Sequence, residues 1–451
     1  MSRKKTKLQS VTEPPQIRAD AAGIDISPEV IYVAVDPQKD ARPIRHFGTF
    51  TGELYRIANW LKACGVRTVA MESTGVYWIP LYQVLDERGF EVYLVNARHY
   101  KNVPGRKTDV CDSAWLQYLH AVGLLQGSFR PAHEICAFRT IMRHRAALIE
   151  DASKHIQRMQ KALDQMNVQV HRVLSDLTGV SGMAILDAIL DGERDPHRLA
   201  ALRDGRVKAS EESIVAALQG DYRPEHLFTL KQSMESYRHY QKLIAECDRQ
   251  MREDLDKLDG GGAEPPVPRK TMRTKDDEEL RKRFFRIFGV DLTAIPGMNV
   301  GTVEVLLGEV GPDLSRFRSA GAFARWLSLA PNNAITGGKV ISSKTQKSTN
   351  RLAGALRMAA QALSREKSYL GHFYRRMKLQ LNGGAEAVTA AAHKLARIIY
   401  AVVTKRVEYD ETHFVEIDKL RQERYRHRIA KTALKMGYIL TPVTPVTAVV
   451  S

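Results

Sequence analysis

Cysteine is scarce in this chain of 451 residues. The four present (Cys64, Cys111, Cys136, Cys247) are scattered and form no CxxC pair. That excludes a disulfide framework and a cysteine-built zinc site, and it suits a reducing compartment. No apolar run approaches the ~18 residues of a membrane span. The charged start, Met1-Ser-Arg-Lys-Lys-Thr-Lys, lacks the apolar stretch of a secretory signal. The GxGxxG fingerprint of a dinucleotide site is missing as well. Acid is in deficit: 51 Asp and Glu stand against 68 Lys and Arg, leaving a formal net charge of +17. What is plentiful is apolar character, 44% of residues, enough to bury real cores and to exclude a wholly disordered chain. The expectation is a basic cytoplasmic protein of several domains, with no membrane partner and with a polyanion to bind.

The positive charge is concentrated. Between Gly337 and Ala385 stand Lys339, Lys344, Lys347, Arg351, Arg357, Arg365, Lys367, Arg375, Arg376 and Lys378, against Glu366 alone. Ser342, Ser343, Thr345, Ser348, Thr349 and Asn350 are interleaved with them. Point charges beside neutral donors suit phosphate contacts. Lys339, Lys344, Lys347, Arg351 and Arg357 are therefore candidate nucleic-acid contacts. A second basic run is Arg421, Arg424, Arg426, Arg428 and Lys431, for which a solvated helix face fits equally well.

Apolar spacing divides the chain. Residues 1–18 read as a disordered basic arm and 19–133 as an α/β domain. Two short apolar runs, 21–27 and 30–36, form a hairpin, and 43–50 is a third strand. Helix 53–64, strand 67–72, helix 76–88, strand 90–95 and helix 110–125 follow. Three antiparallel strands and then βα units is the order of an α/β RNase H-like fold. Residues 134–258 read as helical, with two long irregular heptad-like seams that fit either a helical hairpin or an intersubunit coiled coil. Residues 259–278, with Gly260-Gly-Gly and Pro265-Pro, read as a linker. Residues 279–410 form a mainly α C-terminal domain, and 411–451 a basic helix and tail. The stretch Ile295-Pro-Gly-Met-Asn-Val-Gly fits either a helix-hairpin-helix or an ordinary glycine turn. His393 reads as a core or surface histidine rather than a catalytic one, and Tyr77, Trp78 and Trp115 read as core packing residues rather than base-stacking groups.

Four carboxylates stand out by position. Asp25 interrupts an apolar strand, which is costly unless the charge is satisfied. Glu72 ends the fourth strand. Asp109 and Asp112 lie three apart at a helix start, a spacing that puts both on one face. In an RNase H order the first and fourth strands are neighbours and the last helix crosses their ends, so the four acids converge. Clustered hard oxygen ligands hold Mg²⁺, or Mn²⁺ in its place. Two such ions clamp the attacking and leaving oxygens of a phosphodiester. Taken singly, each acid also reads as a strand-end or helix-dipole carboxylate.

At these residues the sequence resembles a family. Gly23-Ile-Asp-Ile-Ser, Met71-Glu-Ser-Thr-Gly-Val-Tyr and Lys107-Thr-Asp-Val-Cys-Asp-Ser-Ala-Trp-Leu look like the three motifs of DEDD-type insertion-sequence transposases, relatives of the pilin-gene inverting recombinases. Leu292-Thr-Ala-Ile-Pro-Gly-Met-Asn-Val-Gly and Leu327-Ser-Leu-Ala-Pro-Asn-Asn-Ala-Ile-Thr-Gly-Gly-Lys are similar to that family's C-terminal segments. The resemblance implies a RuvC-like domain, a coiled-coil region and a C-terminal transposase domain. It also implies Mg²⁺, DNA as partner, a homodimer or homotetramer, a structured guide RNA in some members, and a bacterial, nucleoid-associated setting. Finally it implies a hydroxyl nucleophile that links covalently to DNA. The family serine five residues after the proline is replaced here by Thr336. Threonine keeps the hydroxyl but crowds it with a methyl; Ser342 and Ser343 are nearby alternatives. The expected function is a Mg-dependent DNA transposase or recombinase. A junction-selective nuclease that uses water, or a non-catalytic nucleic-acid-binding descendant, is the alternative.

Overall fold

The structure is a computed structural model that describes residues 16–73, 75–96, 109–268, 271–381 and 383–441, without the side chains of 109–111, 413–415, 417–419 and 421–422. Most of the expected N-terminal arm, the tail beyond residue 441 and the Arg421 side chain lie outside the described residues. The chain forms two compact units, Met1–Arg130 and Pro131–Ser451.

The first unit is built on a five-stranded sheet in the order β3-β2-β1-β4-β5. Its strands are β1 (Ala21–Ile26), β2 (Ile31–Ala34), β3 (Ile44–Phe47), β4 (Thr68–Glu72) and β5 (Glu91–Val95). β1, β2 and β3 are antiparallel neighbours, and β1, β4 and β5 run parallel. This mixed sheet is compatible with an RNase H-like fold. Period-two alternation decides what each face buries. Ala22, Ile24, Val69 and Met71 pack against helices α1 (Thr51–Ala63) and α2 (Trp78–Glu87) through Ile57, Leu61, Leu81 and Leu85. On the opposite face Ala70 and Val95 pack against Leu116 and Leu119 of α3 (Asp109–Ala121). Both faces are covered, which is why β1 and β4 read as near-continuous apolar runs.

Tyr77 is not a packing residue. It is 49% exposed, with Val76 65% exposed beside it, because α2 begins only at Trp78. Trp78 does pack, edge-on to Tyr82, and the Arg130 guanidinium lies 3.8 Å from the Tyr82 ring centre. Trp115 stacks on Tyr118.

The second unit opens with α4 (His133–Gln165) and α5 (Pro224–Leu258). Arg145 meets Asp248 and the His155 ring meets Tyr240. As one number rises the other falls, so the helices are antiparallel and pair within one chain. Four short helices between residues 170 and 217 close one end of this hairpin around Ile185, Leu186, Leu199 and Ile214. Residues 259–268 are coil, tied to α6 (Lys275–Phe288): Asp259 takes the Arg286 guanidinium, and the Pro266 carbonyl accepts from Arg281. Arg281 is buried and also donates to Asp291 at 2.6 Å and Glu278 at 3.0 Å, so its charge is satisfied.

Beyond it come α7 (Val300–Val310), α8 (Ala320–Trp326), α9 (Arg351–Ala362), α10 (Tyr369–Gln380), α11 (Gly384–Lys405) and α12 (Thr412–Lys435). Helix α11 is long and apolar enough to cross a membrane by length and composition. Its apolar residues Ala391, Leu395, Ile399 and Val402 are instead buried in the core of this unit. His393, half-buried on the same helix, has its pKa lowered by burial and by Arg397 and Lys394. In the Ile295-Pro-Gly-Met-Asn turn, Gly297 (φ +86°) lies where a Cβ would come 2.6 Å from the Ala359 carbonyl oxygen of α9. Asn299 caps α7 by accepting from the Thr302 amide. This turn therefore packs helices, and its own side chain occupies an amide that would otherwise be offered to phosphate.

At the base of the first unit, His120 is fully buried and its Nε2 lies 2.8 Å from Thr68 Oγ1. The Thr68 hydroxyl points to the Glu91 carbonyl, so Nε2–H donates to it. Burial and the nearby Arg18 lower the His120 pKa to about 4. A histidine held neutral in the fold but protonated near pH 6.5 when unfolded makes the unfolded chain bind more protons in that window. Stability therefore falls as pH drops from about 6.5 toward 4. Between pH 7 and pH 5 the loss is about 2 kcal/mol. Thermal melts of wild type and His120→Gln across this range check it: the variant's pH dependence is expected to be flatter.

Candidate active site

The site in the first unit follows from one close approach. A Cβ on Gly23 would come 2.2 Å from both the Ser113 carbonyl oxygen and the Gln117 amide nitrogen. Helix α3 thus lies with its backbone directly on β1, and only glycine permits that. The direction of the helix is fixed by two further contacts. Gln117 Nε2 donates to the Ala21 carbonyl, and His120 meets Thr68 at the start of β4. The C-terminus of α3 is therefore over the strand beginnings. Its first turn, with Asp109 and Asp112, runs toward the carboxyl ends of β1 and β4.

Those ends carry the other two acids. Ile24 pairs with Met71 in the parallel ladder, and Asp25 and Glu72 are the next residues on each strand. Neighbouring strands lie about 4.8 Å apart. Asp25 is two residues beyond Gly23, and Glu72 two beyond Ala70, so by alternation both side chains belong to the face that α3 covers. Glu72 is buried, and Asp25 and Asp112 are half-buried. The structure thus brings Asp25 and Glu72 to adjacent strand ends and points the start of α3 at them. The Asp109 side chain lies outside the described residues. Among the described residues, no group of three or more His, Cys, Asp or Glu is placed to hold a metal ion. In kind the donors fit a hard divalent cation: they are carboxylate oxygens only, without a sulfur or imidazole ligand.

Thr336 belongs to the second unit. It ends β6 (Ala334–Thr336), which pairs antiparallel with β7 (Lys339–Ser342) through the two-residue turn Gly337-Gly338, φ +55° and +76°. Positive φ at both turn residues is what tight hairpins require, and glycine supplies it. This two-stranded ribbon interrupts a domain that the sequence reads as mainly α. Its signal was present, since a Gly-Gly pair sits between β-branched residues. Thr336 is exposed and pairs with Lys339, so the hydroxyl and the ammonium stem leave the same face of the ribbon. Ile335 (60%), Val340 (56%) and Ile341 (69%) are exposed as well. Ser342 lies at the other end of the ribbon and accepts from the Lys344 amide. Ser343, Lys344 and Lys347 follow in exposed coil; Arg351 opens α9 exposed, and Arg357 is half-buried on it.

A mixed sheet in this order, with carboxylates at the ends of its central parallel strands, defines the class as an α/β domain compatible with the RNase H-like nucleic-acid-processing enzymes. A family model described as the IS110 DEDD transposase matches residues 22–168, and one described as the transposase IS116/IS110/IS902 family matches residues 291–375. The chain belongs to the IS110-family DEDD transposases, which makes it a DNA-processing enzyme. No curated protein matches it. Gly23 escaped the sequence reading, although a glycine inside an apolar strand is the mark of a close backbone approach.

Substituting Gly23 by Ala forces α3 off the sheet. The expected cost is about 1–3 kcal/mol of overpacking, seen as a lower Tm. Gly52, with open space around it, is the control: Gly52→Ala leaves the melt nearly unchanged.

Proposed function

We propose that this protein cuts and rejoins the DNA of an insertion sequence, with Asp25, Glu72, Asp109 and Asp112 holding Mg²⁺ or Mn²⁺ and Thr336 as nucleophile. The observation that carries the reading is the adjacent placement of Asp25 and Glu72 on the face and end toward which α3 runs. A divalent ion held by these carboxylates supplies neutralisation of charge on the scissile phosphate.

The chain's own groups do the rest. The Thr336 Oγ1 loses its proton and forms a bond to phosphorus, the phosphodiester P–O bond breaks, and a free hydroxyl leaves on the other DNA end. One phosphodiester replaces another, so the bond is conserved and a DNA hydroxyl can reverse the step at a new junction. Lys339, on the same face of the ribbon as Thr336, holds the phosphate beside the hydroxyl. Lys344, Lys347, Arg351 and Arg357 extend that grip along the backbone. The family resemblance extends the proposal to a homodimer or homotetramer and to targeting by a structured guide RNA.

The test is a cleavage reaction with the element's own ends and Mg²⁺, quenched in SDS. Wild type and Thr336→Ser are expected to leave protein–DNA adducts. Thr336→Ala should leave none, and Asp25→Asn should cut at least ~100-fold more slowly. Cleavage by Thr336→Ala at the wild-type rate, without adducts, would replace the threonine by water and favour the nuclease alternative.

A further inference from the structure

The helical hairpin carries a cleft that strand exchange, as described above, does not use. Antiparallel helices close their seam with apolar side chains, and most of this seam follows the rule. Leu148, Ala152, Ile244 and Cys247 fill its middle, and Met159, Leu163, Leu230 and Met234 fill the capped end. Along one side of the seam a cavity of about 400 Å³ opens between residues 155–165 of α4 and 229–236 of α5. Its α5 wall carries Thr229, Ser233 and Ser236, spaced four and three apart on one helix face; the first two donate their hydroxyls to the His226 and Thr229 carbonyls, and Gln165 and Gln232 add side-chain amides to the lining. Its α4 wall presents His155, Arg158 and Lys161, and no carboxylate lines the cavity.

The cations there differ from others on these helices. Arg145 is paired with Asp248, Arg238 with Asp187 and Arg252 with Asp276. Among the described residues, Arg158 and Lys161 have no carboxylate partner. His155 Nδ1 is buried and has no hydrogen-bond partner among them. Arg158 and Lys161, both exposed, put two positive charges on this wall, and an anion in the cleft would neutralise them. The cleft is far larger than a single phosphate and lies in the range of ligand-sized sites. Cations beside hydroxyl and amide donors are the mixture that contacts a sugar–phosphate chain.

We propose that this cleft binds the phosphodiester backbone of a nucleic-acid strand, with Arg158 and Lys161 on the phosphates and Ser236, Gln165 and Gln232 on the phosphate or sugar oxygens. The inference rests on the reading of the protein as a nucleic-acid enzyme. The same backbone chemistry belongs to DNA and to RNA, and the experiment separates them. Full-length protein carrying Arg158→Glu and Lys161→Glu is titrated with three labelled probes of one mixed sequence: duplex DNA, single-stranded DNA and single-stranded RNA. At least one probe is expected to bind about 10-fold or more weakly, with the slope of log K against log salt reduced by roughly two. The probe that loses affinity names the occupant.

Lys231→Glu, on the opposite face of α5 by helical spacing, is the control and should bind as wild type. The milder Arg158→Ala, Lys161→Ala pair, with an unchanged thermal melt, guards against misfolding and should show a smaller loss on the same probe. Wild-type affinity and slope for all three probes in the charge-reversed protein overturn the proposal. Asp25→Asn is expected to bind all three probes normally while failing to cleave. Failure of the acidic site is thereby distinguished from failure of the cleft.

Discussion

The absence of one side chain organises the first unit. With no Cβ at Gly23, the backbone of α3 rests directly on the backbone of β1, and the helix cannot tilt or slide without losing that contact. Two polar anchors at the far end, Gln117 to Ala21 and His120 to Thr68, then fix which way the helix runs. Everything proposed for the acids depends on this seating. Asp25 and Glu72 acquire their shared face from strand alternation, but only the seated helix directs its first turn, with Asp112, toward the same end of the sheet.

Much of the first unit was legible in the sequence, because its signals are local. Alternation and apolar runs marked β1 to β5. A carboxylate inside a buried strand, Asp25, announced itself by its cost. The parts that were not legible depend on tertiary contact. The direction of α3 is set by hydrogen bonds to residues 96 and 52 positions away. Tyr77 looked like core because it adjoins an apolar helix, yet that helix starts one residue later and leaves the ring in solvent. The pairing of α4 with α5 within one chain could not be told from pairing between chains, since a heptad-like seam does not say which helix fills it. The ribbon at 334–342 was missed for another reason: its turn chemistry was plain, but it lies in a helical neighbourhood and its strands are only three and four residues long.

That ribbon and the helices around it are stabilised in different ways. Helices α9 and α11 contribute Leu356, Ala360, Leu395 and Ile399 to a common core, whereas the ribbon exposes its apolar residues and rests on its own ladder. A lone two-stranded hairpin is marginal in water. The proposed nucleophile thus stands on an element with little packing of its own, at the head of a stretch with ten basic residues against one acidic. Binding of a polyanion there would order the ribbon and neutralise the charge together.

The hairpin of α4 and α5 has a dimension as well as a composition. At a rise of 1.5 Å per residue, its 33- and 35-residue helices make a rod on the order of 50 Å long. One stretch is anchored to α7 by Arg143 on Glu309, with Met142 tucked against Gly308. Lys161 lies 18 residues further along, roughly 27 Å away, which is about eight base pairs of duplex at 3.4 Å each. The spacing is rigid: lengthening α4 and α5 together by whole turns would move Lys161 away from the anchor on α7 by about 5.4 Å for each turn added.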